Sequence, residues 1–135
     1  MELIELTFNK IMQSKAYTVF ILGNEKKKFA IYAEARVGEQ IQEYMKEAER
    51  SRPLTHDLLQ SLFKGLDITP LQIVITEVQD SIYKARLFLE QTLNDQKTIV
   101  EIDARPSDCL TIALMNNLPI YAAKQVMKDS LPVEK

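Results

Sequence analysis

One cysteine and one histidine occur in 135 residues. A lone Cys109 excludes an internal disulfide and a cysteine-based zinc cage. Long apolar runs are missing too. None approaches the roughly 18–20 residues that a membrane-spanning helix needs, so no membrane partner is expected. The chain has no linker and no low-complexity stretch. Nor is there an excess of one charge. Seventeen Lys and Arg stand against nineteen Asp and Glu, giving a net charge of −2 and a pI of about 5.5. A dedicated DNA-binding module is usually basic over its binding face, and this balance argues against one. Contact with nucleic acid would have to be local and weakened by salt. A nuclease is not excluded, because carboxylates that hold cations also make a site acidic. The start, Met1-Glu2-Leu3-Ile4-Glu5, is acidic and alternating, unlike a secretory signal. A cytoplasmic location is the default expectation.

What is present suits one domain. The length allows a real core, and 46% hydrophobic with 27% charged residues is ordinary for a folded protein. Residues 1–130 are expected to form the domain and 131–135 a frayed tail. Residues 2–8 alternate, with Ile4, Leu6 and Phe8 on one side, as a half-buried strand does. Residues 16–22 are apolar on both faces and predict a central strand. A turn over Gly23–Lys27 leads to a strand through Phe29, Ile31 and Ala33. From residue 37 to 50 the period becomes helical, with Val37, Ile41, Tyr44, Met45 and Ala48 on one face. Ser51-Arg52-Pro53 ends that helix.

Thr55 is the expected N-cap of the next helix, with Leu58, Leu59, Leu62, Phe63 and Leu66 as its buried stripe. Gly65 marks its end. Residues 71–78 and 82–90 predict a hairpin turning at Gln79-Asp80-Ser81, and 97–103 a further strand after Asn94-Asp95-Gln96. A helix follows Arg105-Pro106 to about Asn116, then a short strand at 119–122 and a short helix at 124–129. Strands outnumber helices and short turns join neighbours. The expected fold is α+β: one domain, a largely antiparallel sheet and about three packed helices.

Two segments carry the chemistry, Arg52-Pro53-Leu54-Thr55-His56-Asp57 and Asp103-Ala104-Arg105-Pro106-Ser107-Asp108. Each sets Arg-Pro before a hydroxyl residue and an Asp, then opens a helix. His56 suits proton transfer near neutral pH. Asp57, Asp103 and Asp108 suit a hard divalent cation such as Mg²⁺. The guanidinium forks of Arg52 and Arg105 suit phosphate oxygens. The same residues have structural uses. Asp57 and Asp108 complement helix N-termini, the arginines pair with aspartates, and Thr55 and Ser107 cap. Lys26-Lys27-Lys28 reads as a solvated turn, and Cys109 as a small core residue.

The strings RPLTHDLL, IVITEV followed by YKARLFL, and IDARPSD followed by PIYA resemble the bifunctional nuclease domain family. The match runs in order from about residue 17 to 127. It implies an α+β fold, self-association with a dimer favoured, and cleavage of RNA and DNA by some members. Departures are local. Ala33-Glu34 stands where the family usually shows Ile-Gly, and Gly38-Glu39 where it shows Glu-Ala. The usual glutamate is thus absent, with Glu39 one place later and Glu34 four places earlier. Cys109 and Met115 occupy places usually held by Ala and Arg. Many members of the family also carry a C-terminal repair-protein-like helical hairpin, which is not expected within these 135 residues.

Under the nuclease model Arg52 and Arg105 bind the scissile phosphate and His56 is the acid or base. Asp57, Asp103 and Asp108 position a metal or water, and Glu34 replaces the displaced glutamate. Under a second model the cluster is structural and the protein is a non-catalytic oligomeric binding or scaffold module. A third is a nucleotide or phosphate pocket at the two helix starts.

Overall fold

A computed structural model of the chain describes residues 2–46 and 50–133. Eleven elements follow in order: β1 (Leu3–Gln13), β2 (Tyr17–Gly23), β3 (Lys28–Glu34), α1 (Ala35–Met45), α2 (Thr55–Gly65), β4 (Ile68–Gln79), β5 (Ile82–Leu93), β6 (Gln96–Ala104), α3 (Pro106–Asn116), β7 (Ile120–Ala123) and α4 (Lys124–Asp129). The strands form one seven-stranded sheet in the order β3-β2-β1-β7-β4-β5-β6. Every pairing is antiparallel except β4 with β7. The α+β expectation therefore stands, with a six-residue fourth helix beside three longer ones. No helix among the described residues is long and apolar enough to cross a membrane.

Strand period explains the elements and their corrections. Alternation of Ile4, Leu6 and Phe8 continues past residue 8, where the register slips between Phe8 and Lys10. The extra residue resets the parity, so Ile11 rather than Lys10 faces inward. That is why the pattern stops reading as a strand five residues before the strand ends. The β2–β3 turn needs glycine. Gly23 has φ 158°, and a Cβ there would collide with the Lys27 carbonyl. Two-residue turns close the β4–β5 and β5–β6 hairpins, with positive φ at Asp80, Ser81, Asn94 and Asp95.

The sheet coils until its β3 end meets the start of β5, where the Phe29 and Tyr83 rings stack 5.5 Å apart. Helix α3 lies in the resulting trough. Its Ser107, Cys109, Leu110, Thr111, Ile112 and Ala113 are all buried. Burial pushes the Cys109 thiol up to about 12, so it is a core residue and an inert one. Each fully buried Leu or Ile in this core contributes about 1.5–3 kcal/mol.

Four expectations about the helices change. Helix α1 spans 35–45 and ends at Lys46 in an extended conformation; Met45 is exposed, and Ala48 lies outside the described residues. Leu54, not Thr55, holds the N-cap position of α2. Leucine has no acceptor, so Asp57 does the capping by accepting the Leu54 N–H at 2.8 Å. Arg105 holds the N-cap position of α3 with Pro106 at its first place, which puts Ser107 inside the helix. The stripe on α2 is split. Leu59 and Phe63 pack on the core, whereas Leu58, Leu62 and Leu66 are 47–56% exposed. At the C-terminal end, the Val133 N–H donates to the Lys28 carbonyl at 2.8 Å; Glu134 and Lys135 lie outside the described residues.

Candidate functional site at the two helix starts

The two Arg-Pro elements meet. His56 sits in the first turn of α2 and Asp108 in the first turn of α3, and His56 Nε2 lies 3.1 Å from Asp108 Oδ1. The side chain of His56 is almost wholly buried. Its other ring nitrogen, Nδ1, is 3.2 Å from the Tyr44 hydroxyl, which also accepts the His56 backbone N–H at 3.1 Å. One assignment satisfies all of these groups. Tyr44 donates its O–H to Nδ1, and His56 donates Nε2–H to Asp108. Tyr44 lies in α1, so this chain of bonds ties three helix ends together. As a general base His56 would first have to release Tyr44 or Asp108.

Asp108 passes the constraint on. Arg105 donates Nε–H to its Oδ2 at 2.8 Å and Nη2–H to its Oδ1 at 3.2 Å. The hydrogen bond from His56, and then those from Arg105, hold the Asp108 carboxyl well below the usual carboxylate range against the opposing effect of burial. Bonds to Asp108 and its charge, with Glu34 adding, keep the Arg105 guanidinium still more firmly protonated. The Arg105 side chain nevertheless remains mostly exposed. Its head is therefore fixed on one edge and open on the other.

Arg105 stands on a crest between two cavities. One, of about 530 Å³, opens at the seam between β3 and the β4–β5 hairpin. Glu34, Tyr17, Tyr32, Tyr83, Arg105 and Ser107 line it. Tyr17 and Tyr32 meet edge to face at 5.8 Å and are both exposed. The other, of about 990 Å³, lies on the open face of the sheet, with Arg86, Glu101, Asp103 and Arg105 among its lining residues.

The remaining candidates fall elsewhere. Asp57 is turned away from the cavities and paired with Arg50, which donates Nε–H to Oδ2 at 2.7 Å and Nη2–H to Oδ1. That pairing, chiefly the Arg50 hydrogen bond, also lowers its carboxyl. Arg50 additionally lies over the Tyr44 ring, 5.1 Å from its centroid. Arg52 is exposed and makes no ion pair among the described residues. Asp103 sits on β6 across from Arg86, and neither arginine of the motifs pairs with it. Thr55 is exposed. The three aspartates do not converge, and no three His, Cys, Asp or Glu side chains among the described residues could jointly hold a metal ion.

Sequence reasoning passed over Tyr44, Arg50, Tyr17, Tyr32 and Tyr83. Tyr44 had a signal, a polar hydroxyl on the buried face of an amphipathic helix, where it must find a partner. Arg50 had none.

Gly38 explains one departure from the family pattern. It replaces the usual glutamate, its N–H donates to the buried Thr18 hydroxyl at 2.8 Å, and a Cβ there would collide with Gln13 and Thr18. A side chain at that position would have to displace the Gln13 amide and crowd the Thr18 hydroxyl.

Comparison with known proteins identifies a family. A family model described as the bifunctional nuclease domain matches residues 20–134. Two uncharacterized proteins from strains of Mycobacterium tuberculosis, MT1877 and Rv1829, are each 33% identical over 82 residues. The match covers 61% of this chain and 46% of each relative, so the chain spans about half the length of the curated relatives it matches.

Proposed function

The chain belongs to the bifunctional nuclease domain family, and on that premise we propose that it hydrolyses phosphodiester bonds of RNA and DNA, with broad specificity and modest rate. The carrying observation is Arg105. Asp108 fixes it at the start of α3, and it shares one open cavity with Glu34 and an exposed tyrosine pair. Each part has a use. The free edge of the Arg105 fork binds phosphate oxygens, assisted by the first-turn N–H groups of α3. Tyr17 and Tyr32 stack bases of a single strand without regard to sequence. Glu34 takes a proton from the attacking water. The water oxygen bonds to phosphorus, the bond to the departing sugar oxygen breaks, and that oxygen is protonated as it leaves. His56 positions Arg105 through Asp108; Asp103 and Arg86 flank the strand on the open face. Arg52, exposed beside the His56 helix, and Asp57 stand outside this cavity and contribute little. The net charge of −2 makes binding local and salt-sensitive.

The second reading, a non-catalytic module, is favoured by the closed Tyr44–His56–Asp108–Arg105 chain, in which the only histidine is fully engaged. Cleavage of labelled single-stranded RNA and DNA, with and without Mg²⁺, separates the two. Arg105→Ala should slow cleavage about 100-fold, the scale of one lost charge-assisted contact. Glu34→Gln should do the same without altering the melting temperature, and loss of activity in EDTA would add a cation to the site. If native protein and both variants cleave equally, or none cleaves, the non-catalytic module is correct.

A further inference from the structure

Arg105 has open space on both sides. Arg105 and Pro106 line the tyrosine cavity and also the groove on the open face of the sheet, so the start of α3 is the ridge between them. The tyrosine cavity does not stop at the tyrosines. It shares Tyr32, Ser81 and Tyr83 with a third cavity of about 630 Å³, which Val19, Ile21 and Ala30 of β2 and β3 help to line. The third cavity and the open groove have only Tyr83 in common. The three therefore follow one another, with Arg105 between the second and the last.

The open groove is furnished for a base. Along β5, Leu87 and Leu89 point into the core, so Arg86 and Phe88 project from the opposite face. Phe88 lines the groove and is only partly buried. An aromatic ring on an open sheet face is a platform for an unstacked base, as Tyr17 and Tyr32 are on the other side of the ridge. Charges in this groove are already matched. Lys84 pairs with Glu77 at 3.1 Å and Arg86 with Glu101 at 2.7 Å, and Asp103 adds a further negative charge. A strand there is held by its bases, and its phosphates are left to Arg105 and to solvent.

We propose that an unpaired strand lies across Arg105 with its chain continuing on both sides, bases on Tyr17 and Tyr32 before the ridge and on Phe88 beyond it, so that the strand is cut internally and only where it is unpaired. The cut rests on the nuclease reading; the path does not. Work from a chain end needs a wall beyond the scissile phosphate to stop the terminus there. Among the described residues neither side of Arg105 has one, since cavities adjoin it both ways. Duplexes are refused for a separate reason. Stacked neighbours cover each base face in a duplex, so neither the tyrosines nor Phe88 can reach one.

Binding tests the path without cleavage. Glu34→Gln removes the proton acceptor and keeps both platforms, and fluorescence anisotropy reads its affinity for a labelled single strand of about 12 nucleotides. A circular single-stranded DNA, which has no end, should compete within about three-fold of a linear strand of the same sequence, and a blunt duplex about 100-fold less well. Adding Phe88→Leu, which keeps the apolar bulk and removes the ring, should weaken binding about ten-fold at an unchanged melting temperature. Adding Arg105→Ala should make the slope of log affinity against log salt shallower by about 0.7, the share of one phosphate on a single strand. Native protein should open the circle, and should cut an end-labelled linear strand to internal fragments before single nucleotides appear. A circle that does not compete, a duplex that competes equally, or Phe88→Leu binding like its parent overturns the path. A circle that binds and stays closed while the linear strand is trimmed from its end overturns the internal cut. A circle that binds while native protein cuts neither strand removes the nuclease reading and leaves the path standing.

Discussion

The two ends of the sheet are finished in opposite ways. At the β3 end the chain closes on itself. Phe29 stacks on Tyr83, Val133 bonds the first residue of β3, and the Tyr44–His56–Asp108–Arg105 chain ties the adjoining helix starts together. At the β6 end nothing closes. Ile99, Val100 and Ile102 of β6 are exposed beside unpaired backbone groups. A polar network can be satisfied within one copy of the chain because each donor finds an acceptor nearby. An edge strand cannot, because its complement is another strand. The first end is closed around Arg105, and the second leaves its last strand open.

Breaking the closed end should produce the largest effect. His56→Ala takes one partner from the Asp108 carboxylate, leaves the Tyr44 hydroxyl without its acceptor and empties a buried site, and unfolding by denaturant should show a loss of about 3 kcal/mol. If the loss is under about 0.5 kcal/mol, the network is not what holds the helix starts. The split stripe on α2 gives the next contrast. Leu59→Ala should cost about 2 kcal/mol through lost core packing, whereas Leu62→Ala should change folding stability by less than about 0.5 kcal/mol. Equal costs would place both leucines in the core.

Acid sharpens the comparison further. The folded-state carboxyls of Asp108 and Asp57 lie below their ordinary value of 3.8. Unfolding lets them take up protons, so their contribution is fully present above that value and is lost as pH falls through it toward the folded values. Melting temperature should drop steeply below about pH 4, and Asp108→Asn should flatten that limb while lowering the neutral plateau. An unchanged acid limb in this variant would remove Asp108 from the account. The smallest effect belongs to Arg52→Ala, which should change stability by less than about 0.5 kcal/mol because the side chain is exposed and unpaired.

Much of the fold could be read from local pattern. Period two placed the strands and turns, and period 3.6 placed the helices, because both depend on residues a few places apart. The bulge after Phe8 hid the second half of β1, since a reset of parity looks like the end of alternation. The stripe on α2 shows the limit differently. Leu58, Leu62 and Leu66 satisfy an amphipathic pattern as well as Leu59 and Phe63 do, but periodicity cannot say whether the same chain or another covers a face. In the candidate site, pairing partners were the unreadable part. Asp57 took Arg50 rather than Arg52, because residue 50 lies beside the start of α2 while residue 52 is in solvent.

By itself the sequence determined the class of fold, the single cysteine's confinement to a core helix, the family, and the two Arg-Pro helix starts. These follow from composition, period and short motifs, which are properties of neighbouring residues. Only the tertiary structure decided that His56 meets Asp108, that Tyr44 completes their chain, that Arg105 overlooks two cavities, and that β6 and one side of α2 remain uncovered. Those contacts join residues dozens of places apart. They are settled by which way the sheet coils and where each helix crosses it, information that no short stretch of the chain contains.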